Sequence, residues 1–291
     1  MSDDGAAAER RGGGDRRRDR TSVRVAAVGD FHCGESDAGL YRDLFAAAND
    51  EADALVLTGD LTQRGAVAEF RMVVGELTDV KIPVIAVLGN HDFEAGELAE
   101  GIALLRARGI HLLQGESFEL SPQVGFAGVK GFMGGFGRGT LTAFGEPETK
   151  AFVGCAMEEV QKLELALRRL SSPVKIAVLH YAPVAGTVLG EPEIIHPFLG
   201  TDRLAEALDR HSASVAFHGH VHSGTFRGET PAGCPVFNVS LPLLRKAGIG
   251  PMYYLHEIPL PPVAVQLPPE SSAARAAASR ATGTRYGEHE T

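Results

Sequence analysis

The sequence predicts an α/β fold of two β-sheets, one from each half of the chain, with helices outside both. Three observations carry that expectation. Apolar runs of strand length alternate with segments of helical period through the first half of the chain. The first three runs end about 30 residues apart, the usual size of a βαβ unit. Polar residues gather just past the ends of the runs, where open α/β sheets bind ligands.

The elements follow in order. "VRVAAVGD" is an apolar run ending at Gly29-Asp30, and "DAGLYRDLFAAANDEA" has helical period. "DALVLTGD" repeats the strand pattern and ends at Asp60. A second helical segment covers about Val67 to Leu77, and "IPVIAVLGNHD" is a third strand. Near-continuous Val, Ile, Leu and Ala runs are the mark of buried parallel strands. A helix over about Gly96 to Arg108 closes this half. "GESFELSPQVGFAGVKGF" alternates like a pair of strands turning at Ser121-Pro122. "GFMGGFGRGT" is a glycine-rich loop, and a long amphipathic helix is expected from about Cys155 to Leu170. "PVKIAVLH" is a buried strand ending at His180. "TDRLAEALDRH" is a helix with Thr201 or Asp202 as N-cap. "ASVAFHGHVH" is a strand ending in histidines. Short strands near Thr225–Gly228, Pro235–Val239 and Tyr253–Ile258 finish the domain.

The folded domain is expected over residues 22–260. Residues 1–21 are basic and Gly-rich, and residues 261–291 are rich in Pro, Ala and Ser; both read as disordered tails. A net charge of −9 argues against a stable nucleic-acid partner and suits a site built from carboxylates that gather cations. Three scattered cysteines without a C-x-x-C pair argue against a disulfide framework or a thiolate zinc site. No apolar run is long enough to span a bilayer, and the N-terminus lacks a signal-peptide apolar core. A cytoplasmic protein without a membrane partner is the expectation, its oligomeric state open.

The strand ends carry Asp30 and His32 in "GDFHCG", Asp60 in "GDLTQRG", and Asn90, His91 and Asp92 in "GNHD". His180 stands in "LHYAP", and His218, His220 and His222 in "HGHVH". Taken singly, Asp30, Asp60 or Asn90 could equally cap a helix. Together they form an O/N donor set without thiolate, suited to borderline or hard divalent metals such as Mn, Fe, Zn or Co. Their number exceeds one four-coordinate ion and suits two ions about 4 Å apart. In an extended segment the D-x-H and H-x-H pairs would point the same way. Gly29, Gly59, Gly89 and Gly219 would let the backbone bend sharply beside the ions.

The ordered series D-x-H, GD, GNHD, H and GH-x-H, spread from about Val23 to Leu244, resembles the calcineurin-like metallophosphoesterases, here of a compact bacterial type. The resemblance implies a four-layer α/β/β/α sandwich of two mixed sheets, with a dinuclear metal site at the C-terminal ends of strands. By the same resemblance Asp30, His32, Asp60 and His222 would hold one metal, and Asp60, Asn90, His180 and His220 the other. Asp60 would bridge them opposite a bridging water or hydroxide that attacks phosphorus. His91 would serve the leaving oxygen, with Asp92 orienting it.

The implied activity is hydrolysis of small phosphate esters, with diesters such as cyclic or other nucleotide-type substrates placed first. A phosphomonoesterase is the alternative, and a metal-bound scaffold without catalysis is the alternative from another class. Substrate contacts are expected from loops: Phe136 and Arg138 in the glycine-rich loop, and Glu191, Glu193, His196 and Phe198 after His180. His218 is expected to support the site or merely end a strand. His111 and His256 are expected to be structural, and His211 to favour its cationic form at a helix C-terminus. Cys33, beside the first pair, could be a further ligand.

Overall fold

The computed structural model describes residues 21–262, so both expected tails fall almost entirely outside the described residues. Two mixed sheets face each other. The first has five strands in the order β11-β1-β2-β3-β4: β1 (Ser22–Val28), β2 (Ala54–Thr58), β3 (Val84–Val87), β4 (His111–Leu112) and β11 (Tyr254–Pro259). β1 to β4 are parallel, and β11 returns antiparallel along the outer edge of β1. The second sheet has six strands in the order β5-β6-β7-β8-β10-β9: β5 (Ser117–Ser121), β6 (Val124–Val129), β7 (Val174–Leu179), β8 (Val215–His218), β9 (Arg227–Glu229) and β10 (Pro235–Asn238).

Residue alternation explains the layering. In β6, Val124 and Phe126 face the inter-sheet core while Ala127 and Val129 face the opposite side. Ile176 and Val178 against Ala177 and Leu179 in β7 repeat the division. A period of two in strands buried on both faces produces this split. Gly128 lets the sheets approach, because a Cβ there would stand 2.9 Å from Val87 Cγ1.

Helices α1 (Arg42–Glu51), α2 (Val67–Glu76) and α3 (Leu98–Ala107) accompany the first sheet. Helices α4 (Pro147–Arg169) and α6 (Arg203–Arg210) cover the second, with the single turn α5 (His196–Leu199) between them in sequence. α4 buries Val153, Ala156, Val160, Leu163 and Leu167, a stripe at helical spacing. It begins eight residues before the expected start, because Pro147 occupies the first turn, where its missing N–H costs nothing. Asp202 precedes α6 but makes no side-chain cap. Its carboxylate instead accepts from Gly137 N and Thr140 Oγ1, tying down the glycine-rich loop.

Buried carboxylates organise the connections. Glu76 accepts from Gly39 N and Tyr41 N, and Glu69 from Arg64 N and Ala66 N. Helix α7 (Leu241–Ala247) was not expected from the sequence. Its Pro242 stands in the first turn and Gly248 ends it in the left-handed conformation. Among the described residues no helix is long and apolar enough to cross a membrane.

Candidate metal centre

The two sheets bring their polar strand ends together. Asp30, Asp60 and Asn90 follow β1, β2 and β3, while His180 follows β7 and His220 and His222 follow β8. Three overlapping groups result: Asp30, His32 and His222; His32, Asp60 and His91; Asp60, His180 and His220. Within each group the donor atoms lie within 4.8 Å of one another. Asp60 connects the groups. Its Oδ1 lies 3.4 Å from His180 Nε2, and its Oδ2 lies 3.8 Å from His32 Nε2.

The way Asp30 and His32 converge differs from the sequence expectation. They do not share a face of an extended strand. β1 ends at Val28, and Asp30, His32, Asp60 and His220 have φ of 56°, 44°, 47° and 68°. Such left-handed conformations are uncommon for non-glycine residues and gather at functional sites. Among the glycines expected to bend there, Gly59 does so, with φ of +88°. Gly89 and Gly219 serve close approach instead. A Cβ at Gly89 would stand 2.1 Å from Asp60 Oδ1, and one at Gly219 would stand 2.2 Å from Asp30 Oδ2.

Hydrogen bonds fix which nitrogen each imidazole presents. His180 Nδ1 lies 2.8 Å from the Thr58 carbonyl, which only accepts, so Nδ1 carries the proton. Burial holds this imidazole well below its ordinary pKa, so it is neutral and Nε2 is a bare lone pair. That lone pair stands 3.0 Å from Asn90 Oδ1 and 3.4 Å from Asp60 Oδ1. Three electron-pair donors thus converge with no proton between them. His220 Nε2 donates to the Phe198 carbonyl at 3.2 Å, which leaves Nδ1 as its lone-pair nitrogen. His32 Nε2 is buried with no hydrogen-bond partner. Burial lowers the pKa of His32 to about 4 and that of His220 to about 3. These donors fit divalent cations: neutral imidazoles and carboxylates converging on one another, with His32 Nε2 left without a hydrogen-bond partner.

Asp30 is buried, which raises its carboxyl to about 6. His222 Nε2 lies 3.2 Å from Asp30 Oδ1, and that hydrogen bond raises the His222 pKa. A proton therefore competes with any cation for the Asp30 and His222 pair. The sign is set by deprotonation: below about pH 6 a cation must displace the Asp30 proton, and above it the carboxylate is already free. Metal affinity measured by titration should weaken about tenfold or more from pH 6 to pH 5, and the proton on His222, held above its ordinary pKa, should keep affinity rising as the pH passes through neutrality. His32 and His220 stay neutral through that range and contribute no slope.

Asp92 requires a correction. It does not orient His91. Its fully buried carboxylate accepts from Leu61 N, Thr62 N, Thr62 Oγ1 and Gly89 N, joining the loops after β2 and β3. Burial and the nearby Asp60 raise its pKa to about 7, against the pull of the Gly89 and Thr62 hydrogen bonds. The partner of the His91 ring is the Gln63 carbonyl, 2.9 Å from Nδ1. A backbone carbonyl leaves no mark in the sequence, so no residue pattern could have pointed to it.

The other candidates separate. Cys33 stands outside the three donor groups: its Sγ donates to the Gly34 carbonyl, and burial pushes the thiol up to about 12. His218 is buried, with Nδ1 on the Gly219 carbonyl and Nε2 2.9 Å from Thr187 Oγ1, so it pins the loop after β7. His111 stacks on Phe118, and His256 lies among Phe217, Phe237 and Tyr254. His211 lacks the expected cationic bias, because burial, Lys175 and Arg210 lower its pKa.

Of the six loop residues expected to meet substrate, three are committed to structure and three are exposed. Phe136 packs against Ala182, Val188, Leu199 and Val221 rather than offering a stacking face. Glu191 accepts from Ser223 N at 2.6 Å, and His196 Nε2 bonds the Glu191 carbonyl at 3.0 Å. Arg138 is exposed on the turn Gly137–Gly139, and Glu193 and Phe198 are also exposed.

A family model for calcineurin-like phosphoesterases matches residues 23–224, the span that supplies every donor described above. The chain belongs to the calcineurin-like phosphoesterase family. The chain is 29% identical over 79 residues to a probable cyclic nucleotide phosphodiesterase of Fibrobacter succinogenes. The match covers 24% of this chain and 31% of that protein, so it spans about a third of the curated relative. Phosphopantetheinyl hydrolase (PptH) from Mycobacterium tuberculosis shares the fold, with a TM-score of 0.54 at 16% identity over 86% of this chain and 99% of that one. TT1561 of Thermus thermophilus is also similar, with a TM-score of 0.49 at 15% identity over 82% and 99% of the two chains.

Proposed function

We propose that this phosphoesterase hydrolyses phosphodiesters of small, nucleotide-type substrates with two divalent cations at the strand ends. The observation that carries the reading is the convergence of bare donors on both oxygens of Asp60. His180 Nε2 and Asn90 Oδ1 stand on its Oδ1 side, and His32 Nε2 on its Oδ2 side. Asp30, His32, Asp60 and His222 would hold one cation, and Asp60, Asn90, His180 and His220 the other. Mn, Fe, Zn or Co all suit this set of imidazole, carboxylate and amide donors. When bound, such a pair supplies a water deprotonated near neutral pH and positive charge opposite the phosphate oxygens.

The chain's own residues do the rest. The His91 amide donates to Asp60 Oδ1 at 2.9 Å, and the His220 amide donates to both oxygens of Asp30. These bonds hold the carboxylates in place before substrate arrives. His91 Nδ1 carries a proton because it faces the Gln63 carbonyl, so Nε2 is the atom left to serve the leaving oxygen. His32 and His91 lie edge to face, 4.7 Å between centroids, which keeps His91 beside the donor set.

The preference for diesters is supported by the name of the Fibrobacter succinogenes relative. The test is turnover of metal-reconstituted protein on a nitrophenyl diester, the matching monoester and a cyclic nucleotide. Faster turnover of the diester or cyclic substrate supports the reading. A clear preference for the monoester overturns it in favour of a phosphomonoesterase. Two bound metals with no hydrolysis of any ester would favour a scaffold.

A further inference from the structure

Lys130 stands at the C-terminal end of β6, beside the strand end that supplies His180. Its carbonyl accepts from the His180 and Tyr181 amides, both at 3.0 Å. The ammonium sits among three aromatic rings: 5.5 Å from the centroid of Phe93, 5.0 Å from Phe132 and 5.1 Å from Tyr181. Two of those rings belong to the site's surroundings. Tyr181 packs against His220 at 4.4 Å, and Phe93 ends the turn that begins with His91.

The ammonium makes no close ion pair, although the charge of Glu159 and, more weakly, that of Asp60 act on it from a distance. Nζ donates to the Gly131 carbonyl at 2.9 Å, and no carboxylate lies within ion-pair distance of it among the described residues. The neighbouring acid is committed elsewhere: Glu159 accepts from Gly131 N through Oε2 and pairs with Lys162 through Oε1. Aromatic faces stabilise a cation but leave its remaining N–H groups without an acceptor. A largely buried ammonium with donors to spare, next to a reactive centre, is suited to an anion brought by a ligand. The half-exposed Phe93 ring forms the outer wall and offers an apolar face to whatever carries that anion.

We propose that Lys130, framed by Phe93, Phe132 and Tyr181, is a specificity site for a second anionic group on the substrate, a phosphate or carboxylate borne by the part that leaves. Phe93 points to the leaving side, because it shares a single short turn with His91. The inference rests on the phosphoesterase reading for the position of the scissile phosphate. It goes beyond that reading by naming a substrate class: esters whose leaving part is itself charged.

The test uses equilibrium binding to the Mn²⁺-loaded full chain, so that turnover is not needed. Butyl phosphate and its ω-carboxylated analogue, 4-phosphooxybutyrate, differ only by the second anion. Calorimetry should show the carboxylated ligand binding at least tenfold more tightly to the wild-type protein. In Lys130→Gln the ratio of the two dissociation constants should fall to about one, and in Lys130→Arg most of it should return. Thermal melts confirm that the variants fold, and Phe93→Leu gives a second variant that should weaken the ratio by loosening the frame. A wild-type ratio near one, or a ratio unchanged in Lys130→Gln, overturns the proposal. So does an equal loss for both ligands, which would place Lys130 at the scissile phosphate or in packing. A preserved ratio in a protein that turns over no diester would sink the phosphodiesterase reading while leaving the anion site standing.

Discussion

Asp60→Asn should abolish turnover, with a loss of at least ~10³-fold, and should lower the metal content of both positions together. The reason is geometric. Each oxygen of Asp60 faces a different donor group, Oδ1 toward His180 and Oδ2 toward His32. An amide keeps the size but removes the charge and offers one good lone-pair atom instead of two. Its NH2 would also point hydrogens at a bare imidazole nitrogen on one side. The amide of His91, which donates to Asp60 Oδ1, would lose a charged acceptor, so the turn after β3 should loosen as well. Metal content by mass spectrometry beside turnover on a nitrophenyl diester checks this. A variant that keeps one metal at full occupancy while losing the other would show that Asp60 serves a single ion.

His91→Ala should behave differently. Both metals should stay, while kcat falls by about 10²–10⁴-fold, the usual worth of a positioned acid or base. The ring touches the donor set through His32 but is held from behind by the Gln63 carbonyl, so its removal leaves the other donors in place. The loss should be largest for esters with basic leaving groups and shrink for nitrophenyl esters, whose leaving oxygen needs no proton. A uniform loss across leaving groups, or a loss of metal, would remove the leaving-group role. His91→Gln should not rescue, because an amide cannot shuttle a proton.

Much of this is legible in the sequence. Each buried parallel strand announced itself as an apolar run, and each donor stood directly past one, because strand ends are where a sheet exposes its backbone to a ligand. What the sequence did not carry is how the donors converge. Asp30 and His32 look like an extended D-x-H pair, yet both sit in left-handed turns. Tertiary contacts impose that backbone; no local preference of Asp or His would disclose it. Asp92 follows the same logic. Adjacency to His91 suggested an orienting carboxylate, but the turn sends the two side chains apart, Asp92 into the loop after β2 and His91 onto the Gln63 carbonyl. Lys130 stands at a strand end like the other site residues, but nothing in its residue type marks it, because lysine is not a usual metal ligand. Its three rings come from distant segments, which only the fold brings together. The edge strand β11 joins β1 from the far end of the domain, a pairing that nothing local encodes.

The central claim is that one carboxylate, Asp60, is shared by two cations held between the sheets. Anomalous diffraction from crystals of the Mn²⁺-loaded protein tests it most directly. The account predicts two peaks per chain, one among Asp30, His32, Asp60 and His222 and the other among Asp60, Asn90, His180 and His220, with an Asp60 oxygen on each. A single peak at saturating metal, or two peaks of which only one touches Asp60, would contradict it.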